Sequence, residues 1–173
     1  MNSIINNIFE KYNQSTGISI DSRNIKEGNL FFGISGDNFD GNNFIEESLS
    51  NGASFAVTNN KKFKTKDNCV YVENTLESLQ NLAAFHRSKL QIPVVGVTGS
   101  NGKTTTKELI SLVLSLKFNV FSTIGNFNNH IGVPLSVLEL NDSHDIAVIE
   151  MGASGLGEIA FLCEISQPNL GII

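Results

Sequence analysis

Val94-Val95-Gly96-Val97-Thr98-Gly99-Ser100-Asn101-Gly102-Lys103-Thr104-Thr105-Thr106 is the stretch on which the reading of this chain turns. β-Branched apolar residues run into a glycine-punctuated loop, and a Lys-Thr-Thr then opens a helix. That succession predicts a strand, an anion cradle and a helix N-terminus. Gly99 and Gly102 let the backbone curl so that successive N–H groups turn inward on a phosphate. The helix beginning near Lys103 adds its positive dipole end at the same place. The Lys103 ammonium can reach outer phosphates, and the Thr104 hydroxyl is placed for the magnesium that travels with a nucleotide. Gly99, Ser100, Asn101, Gly102, Lys103, Thr104 and Thr105 are therefore the candidate nucleotide-binding residues. The general pattern G-x-x-x-x-G-K-[ST] is matched only in its second half, because Val97 stands where it wants glycine and the glycine comes one residue early, at Gly96. The competing reading is a glycine-rich turn that binds nothing, and Lys-Thr directly after the second glycine argues against it.

Downstream, Gly125-Asn126-Phe127-Asn128-Asn129-His130-Ile131-Gly132-Val133-Pro134-Leu135 is an amide-rich loop opening a short apolar helix. Asn126, Asn128 and Asn129 offer neutral donors and acceptors suited to a polar substrate, or they are turn-forming residues beside Gly125. Asp145–Ala153 reads as a buried strand ending in a carboxylate, Glu150, and a glycine. Ligands of parallel α/β sheets sit at the C-terminal strand edge, so Glu150 is either a metal-facing carboxylate beside phosphates or a solvated strand end. From Pro93 onward the pattern alternates: strand 93–98, helix 103–117, strand 119–122, helix 131–139, strand 145–150, helix 155–164, strand 170–173. Short loops between near-continuously apolar strands predict a parallel sheet covered by helices.

Residues 1–82 read as a separate unit, with 83–173 as the second. Ile4, Ile5, Ile8 and Phe9 repeat at helical spacing, and Ile18 and Ile20 alternate as a strand leading into Asp21-Ser22-Arg23. Leu30–Ile34 is an apolar strand, Ser35–Asn43 a polar loop, and Phe44–Leu49 a helix stopped by Asn51-Gly52. Ala53–Val57 and Val70–Val72 are further strands. The lysines between them (Lys61, Lys62, Lys64, Lys66) read as a solvated loop rather than a phosphate patch. Asn74 and Glu77 resemble a capping box for a helix from 75 to about 89, on which His86 is an ordinary amphipathic residue.

Composition excludes several classes. With 40% apolar and 17% charged residues, the 173-residue chain is foldable and not disordered. A net charge of −5 recommends neither nucleic acid nor a membrane surface as partner. Residues 1–13 carry Glu10 and Lys11 inside their apolar pattern and so do not read as a signal peptide, and no apolar run approaches a membrane span. Cys69 and Cys163 lack metal-ligand spacing and read as small buried hydrophobes in a reducing compartment, so a cytoplasmic protein is expected.

The blocks TGSNGKTTTKE, GNFNNHIGVPLSVLEL and EMGASGLGEI together resemble the Mur ligase family. The likeness extends to Asp21-Ser22-Arg23, Gly28–Phe32 and Gly36–Gly41, similar to the family's N-terminal substrate domain, with Asn42 where the family more often has histidine. It implies a small mixed α/β domain that binds a UDP-sugar, over 1–82, followed by the first half of a P-loop, parallel-sheet ATPase domain over 83–173. It implies ATP and Mg²⁺ as cofactors, Lys103 and Glu150 as catalytic residues, Thr104 and Glu150 as metal ligands, and Ser22, Arg23, Asn126, Asn128 and Asn129 as substrate contacts. Arg23 suits a diphosphate through its forked donors, or it is a surface ion pair with Asp21 or Glu27. The implied reaction is amide ligation in peptidoglycan precursor synthesis, joining D-alanyl-D-alanine to UDP-N-acetylmuramoyl-tripeptide through an acyl phosphate. The other reading within the family is addition of a third residue to UDP-N-acetylmuramoyl-dipeptide. Outside it stand a binding fragment that catalyses nothing and a P-loop ATPase or kinase of different substrate. The family implies a monomer and a chain continuing past Ile173, with its carbamylated lysine, second magnesium ligand, adenine contacts and amino-acid-binding domain further on. The 173 residues alone are therefore expected to be inactive, with an open sheet edge.

Overall fold

The computed structural model describes residues 2–36 and 39–173. Asp37 and Asn38 of the Gly36–Gly41 stretch lie outside the described residues, as does Met1. The chain divides into two compact units, Met1–Leu82 and Ala83–Ile173.

In the first unit the order is α1 (Asn2–Asn13), β1 (Ile18–Ser19), β2 (Leu30–Phe32), β3 (Ser35–Gly36), β4 (Phe39–Asp40), α2 (Ile45–Ser50), β5 (Phe55–Thr58) and β6 (Cys69–Tyr71), with α3 (Thr75–Arg87) carrying the chain onward. Strands β1-β2-β5-β6 form a four-stranded sheet in that order, each neighbouring pair parallel. Parallel strands covered on both faces are apolar throughout, and Leu30, Phe31 and Phe32 are all buried. Phe31, Ala56 and Cys69 from the sheet meet Ile45, Ala53 and Phe63 in one core cluster.

The stretch 35–43, expected as loop, instead contains the antiparallel pair β3–β4 and a 3-10 turn over Gly41–Phe44. The hidden organiser is Asn42, which is 3% exposed. Its Nδ2 donates to Ser35 Oγ (3.0 Å) and Asp40 Oδ1 (2.8 Å), while its Oδ1 accepts from Thr58 Oγ1 (2.7 Å) and the Asn59 N–H (2.9 Å). One amide thus ties the hairpin to the end of β5. Asn74 caps α3, its Oδ1 accepting the Glu77 N–H at 3.1 Å.

The second unit runs β7 (Val94–Val97), α4 (Lys103–Leu114), β8 (Val120–Ser122), α5 (Gly132–Leu138), β9 (Ile146–Glu150), α6 (Glu158–Ser166) and β10 (Leu170–Ile172). Its sheet has the order β10-β7-β9-β8, all parallel. One face of α4 packs Ile110 and Leu114 on Val95, Val97 and Val148. The other exposes Leu109, Leu112 and Val113, and Leu116 is exposed in the turn just past the helix. Helix α6 starts later than the expected 155 because Gly157, at φ +85°, precedes its first turn. It ends at Gln167, at φ +44°, directly before Pro168. Among the described residues no helix is long and apolar enough to cross a membrane.

Candidate nucleotide site

Gly96 belongs to the packing of β7. A Cβ there would lie 2.5 Å from Met151 Cε and 3.2 Å from Pro168 Cβ, so any side chain at this position would make the Met151 tip and Pro168 give way. Val97, in the motif's usual glycine position, is fully buried in the core. The incomplete match is therefore two packing demands of the strand, and the curl of the loop is left to Gly99 and Gly102. Those two adopt φ +137° and +75°, values that L side chains avoid. Nothing lies within 4 Å of a Cβ at Gly102, so backbone conformation, not crowding, requires glycine there.

Gly102 also precedes α4 without any side-chain cap. A helix start leaves its first N–H groups unpaired within the helix, and they point toward the loop. Lys103 Nζ donates to the Gly99 carbonyl at 2.6 Å, which stands the ammonium over that loop with donors to spare. Ser100, Asn101, Thr104 and Thr105 are exposed around the same mouth. The Thr98 N–H donates to Ile172 O at 2.9 Å and anchors the loop's base to β10.

Glu150 ends β9 directly opposite Val97, the last residue of β7 before the loop. It is 1% exposed and so is not a solvated strand end. Asn128 Nδ2 donates to its Oε1 at 2.8 Å. Its Oε2 is buried and, among the described residues, accepts no hydrogen bond. A buried carboxylate oxygen without a donor is costly to leave unpaired, by about 1–3 kcal/mol or more for a charged group. A bound cation is the natural relief, and Glu150 with the exposed Thr104 hydroxyl on the first turn of α4 is a hard-oxygen pair suited to magnesium.

Two residues of this corner went unread in the sequence. Thr123, 1% exposed, accepts the Glu150 N–H on its Oγ1 at 3.0 Å. Its carbonyl accepts from Lys107 Nζ at 2.6 Å, and Lys107 is itself 1% exposed, pairing with Glu108 at 2.8 Å. A lysine one helical turn after Lys103 reads as a solvated residue. The signal available was its spacing, which puts it on the sheet-facing side with Ile110 and Leu114.

The three asparagines part company. Asn128 faces Glu150, and its backbone carbonyl also accepts the Gly152 N–H at 2.7 Å. Asn129 caps the turn into α5, its Oδ1 accepting the N–H groups of Ile131 (3.0 Å) and Gly132 (2.8 Å). Asn126 is exposed.

In the first unit Ser22 is buried and Arg23 is outside, its side chain 83% exposed. Arg23 forks onto Asp21, Nε to Oδ1 and Nη2 to Oδ2, each at 2.8 Å, which is the surface ion pair that the sequence left open. The Arg23 bonds hold the Asp21 carboxyl well below the usual carboxylate range. Lys62 and Lys66 of the basic loop face Glu46. His86 is buried, with Nε2 on the Leu140 carbonyl at 2.8 Å, and both cysteines are free thiols.

Two family models match adjoining stretches of the chain: "Mur ligase family, catalytic domain" over residues 14–96 and "Mur ligase middle domain" over residues 97–173. Among curated relatives, the UDP-N-acetylmuramoyl-tripeptide–D-alanyl-D-alanine ligase of Synechocystis is 45% identical over 90% of this chain and 35% of its own length. The ligase of the same name from Bacillus subtilis is 40% identical over 91% of this chain and 35% of its own. Among solved structures, the MurF ligase of Thermotoga maritima in complex with ADP superposes with a TM-score of 0.80 at 38% identity, over 97% of this chain and 37% of that one. MurF from Acinetobacter baumannii gives a TM-score of 0.83 at 37% identity, over 89% of this chain and 34% of its own. The chain thus spans about a third of the length of the relatives it matches.

Proposed function

The chain belongs to the Mur ligase family, and from that footing we propose that it supplies the UDP-sugar and nucleotide-binding portions of an ATP-dependent ligase joining D-alanyl-D-alanine to UDP-N-acetylmuramoyl-tripeptide. The observation that carries the reading is the register of β7 against β9. It sets a buried, half-unpartnered carboxylate, Glu150, beside the strand end that opens into the Gly99–Lys103 cradle.

The chemistry asks for charge management. A substrate carboxylate attacks the γ-phosphorus of ATP, ADP departs, and an acyl phosphate forms. The incoming amine then attacks the acyl carbon, loses a proton, and phosphate leaves with the amide made. Two anions must first be brought together. Lys103 and the loop N–H groups draw charge from the phosphates, and this preorganised stabilisation is the main contribution such a site makes. Thr104 and Glu150 are the residues that would hold magnesium, which supplies further neutralisation at the phosphate oxygens when bound. In the first unit Ser22 and Arg23 are proposed for the UDP-sugar. Asp21 takes two of the five guanidinium N–H groups and leaves the others outward for a diphosphate.

The test supplies a full-length ligase carrying these residues, completed with the remaining two thirds of a relative's chain, with ATP, magnesium and UDP-N-acetylmuramoyl-tripeptide together with D-alanyl-D-alanine, and in a parallel reaction with UDP-N-acetylmuramoyl-dipeptide and a single amino acid. Product is read by mass. Ligation in the first reaction, reduced about 10²–10³-fold in Lys103→Ala, is the expected result. Product only in the second would transfer the chain to the sister ligase. Undiminished turnover in a folded Lys103→Ala protein would overturn the cradle.

A further inference from the structure

Asn128 is bound by its side chain to Glu150 at the end of β9 and by its backbone to Gly152, two residues further on. Its Nδ2 holds Glu150 Oε1 at 2.8 Å, and its backbone oxygen takes the Gly152 N–H at 2.7 Å. Gly152 looks built for this seat, since a Cβ there would lie 3.1–3.2 Å from the Asn128 Cγ, Nδ2 and Oδ1 atoms. On the other side Thr123 Oγ1 takes the Glu150 N–H at 3.0 Å and Lys107 holds the Thr123 carbonyl at 2.6 Å. One carboxylate oxygen is thereby fixed while Oε2 accepts nothing among the described residues.

From these contacts we propose that Asn128 is a positioning residue for Glu150. Its amide engages one carboxylate oxygen so that the other is presented, at a fixed rotamer, to the cation accompanying the nucleotide. This rests on the reading of Glu150 as a magnesium ligand and departs from the expectation that Asn128 contacts substrate. An amide suits the task because it donates to a carboxylate without adding charge, and groups that orient a metal-binding carboxylate carry about 10–100-fold in metal affinity.

The experiment titrates Mn²⁺ with ADP into the protein and follows bound manganese by electron paramagnetic resonance, with ADP affinity in EDTA measured alongside. Asn128→Ala and Asn128→Asp are expected to weaken Mn²⁺ binding about 10–100-fold while metal-free ADP affinity stays at the parent value. Gly152→Ala, which leaves both partners chemically intact but crowds the amide, is expected to do the same more mildly. A general loss of structure would instead lower ADP affinity in EDTA as well. Parent-like Mn²⁺ affinity in Asn128→Ala, with Glu150→Gln weakened, overturns the positioning role alone. Parent-like affinity in Glu150→Gln overturns the ligand reading beneath it. A weakened affinity for the UDP-muramoyl peptide in Asn128→Ala, read by calorimetry, with unchanged Mn²⁺ binding returns Asn128 to the substrate and also overturns the proposal.

Discussion

Gly96 and Gly102 stand six residues apart, yet they are glycine for different reasons, and their substitutions should separate accordingly. At Gly96 a Cβ would press on Met151 Cε and Pro168, so Gly96→Ala is expected to cost about 1–3 kcal/mol of stability by overpacking. ADP affinity of the folded fraction should be unchanged. At Gly102 a Cβ meets open space, but φ +75° is strained for alanine by roughly 1–2 kcal/mol. The loop will relieve that by re-aiming its N–H groups, so Gly102→Ala should lower ADP affinity more than it lowers the melting temperature. Calorimetric titration beside thermal denaturation distinguishes the two. His86 offers a third residue-level test. Burial lowers its pKa below the ordinary 6.5, with the Arg87 charge acting in the same direction and the Leu140 carbonyl and Asp142 opposing. Between the lowered value and 6.5 the unfolded chain binds more protons than the folded one, so stability rises with pH across that window. The contribution is complete above 6.5 and is lost as pH falls below it. Urea midpoints from about pH 8 down to about pH 5 should show this decline in the parent, and a shallower one in His86→Gln.

At the scale of elements, strands and helices of the second unit were legible because their apolar runs are continuous and their breaks are marked by glycine, asparagine or proline. Lys107 was not legible, since a lysine in a helix declares no burial, and the Thr123 carbonyl, brought by the fold, together with the Glu108 carboxylate makes that burial tolerable. Nor was the β3–β4 hairpin, whose strands are two residues each and too short to show alternation. Its stability lies in Asn42, a residue that sequence alone placed only in a polar loop, at a position where the family more often has histidine. Asn42→Ala would strand the Thr58 hydroxyl and the Asn59 N–H, at about 1–3 kcal/mol. The same change removes the donor chiefly responsible for keeping the Asp40 carboxyl below its ordinary 3.8. Asp40 should therefore titrate closer to that ordinary value in the variant. In the parent, the stabilisation linked to Asp40 is present above 3.8 and is lost only as pH falls through the lowered value. Carboxyl shifts followed by NMR through the acid range check the titration, and an unmoved Asp40 would contradict the assignment.

The whole molecule is two compact units whose surfaces differ in kind. The first closes its core on its own sheet, with Phe31, Ile45, Ala56 and Phe63 all nearly inaccessible. In the second, Leu109, Leu112 and Val113 line the outer face of α4 at 59%, 66% and 65% exposure, and Leu116, in the turn just past the helix, extends that stripe at 85%. A contiguous apolar surface of this sort promotes association. Two overlapping pieces, one ending with α3 at Arg87 and one beginning with α3 at Thr75, test the difference without cutting that helix. The first should fold cooperatively and remain monomeric in light scattering. The second should associate with rising concentration, and Leu112→Lys with Leu116→Glu should suppress that association without removing ADP binding, because neither residue touches the cradle. Residues 1–173 together should bind ADP through Lys103 yet yield no amide product by mass, since the ligases they resemble work with a chain about three times as long. Turnover by these residues alone would mean that the acyl transfer needs no group outside them. An associating first piece would show that its core depends on contacts its own sheet does not supply.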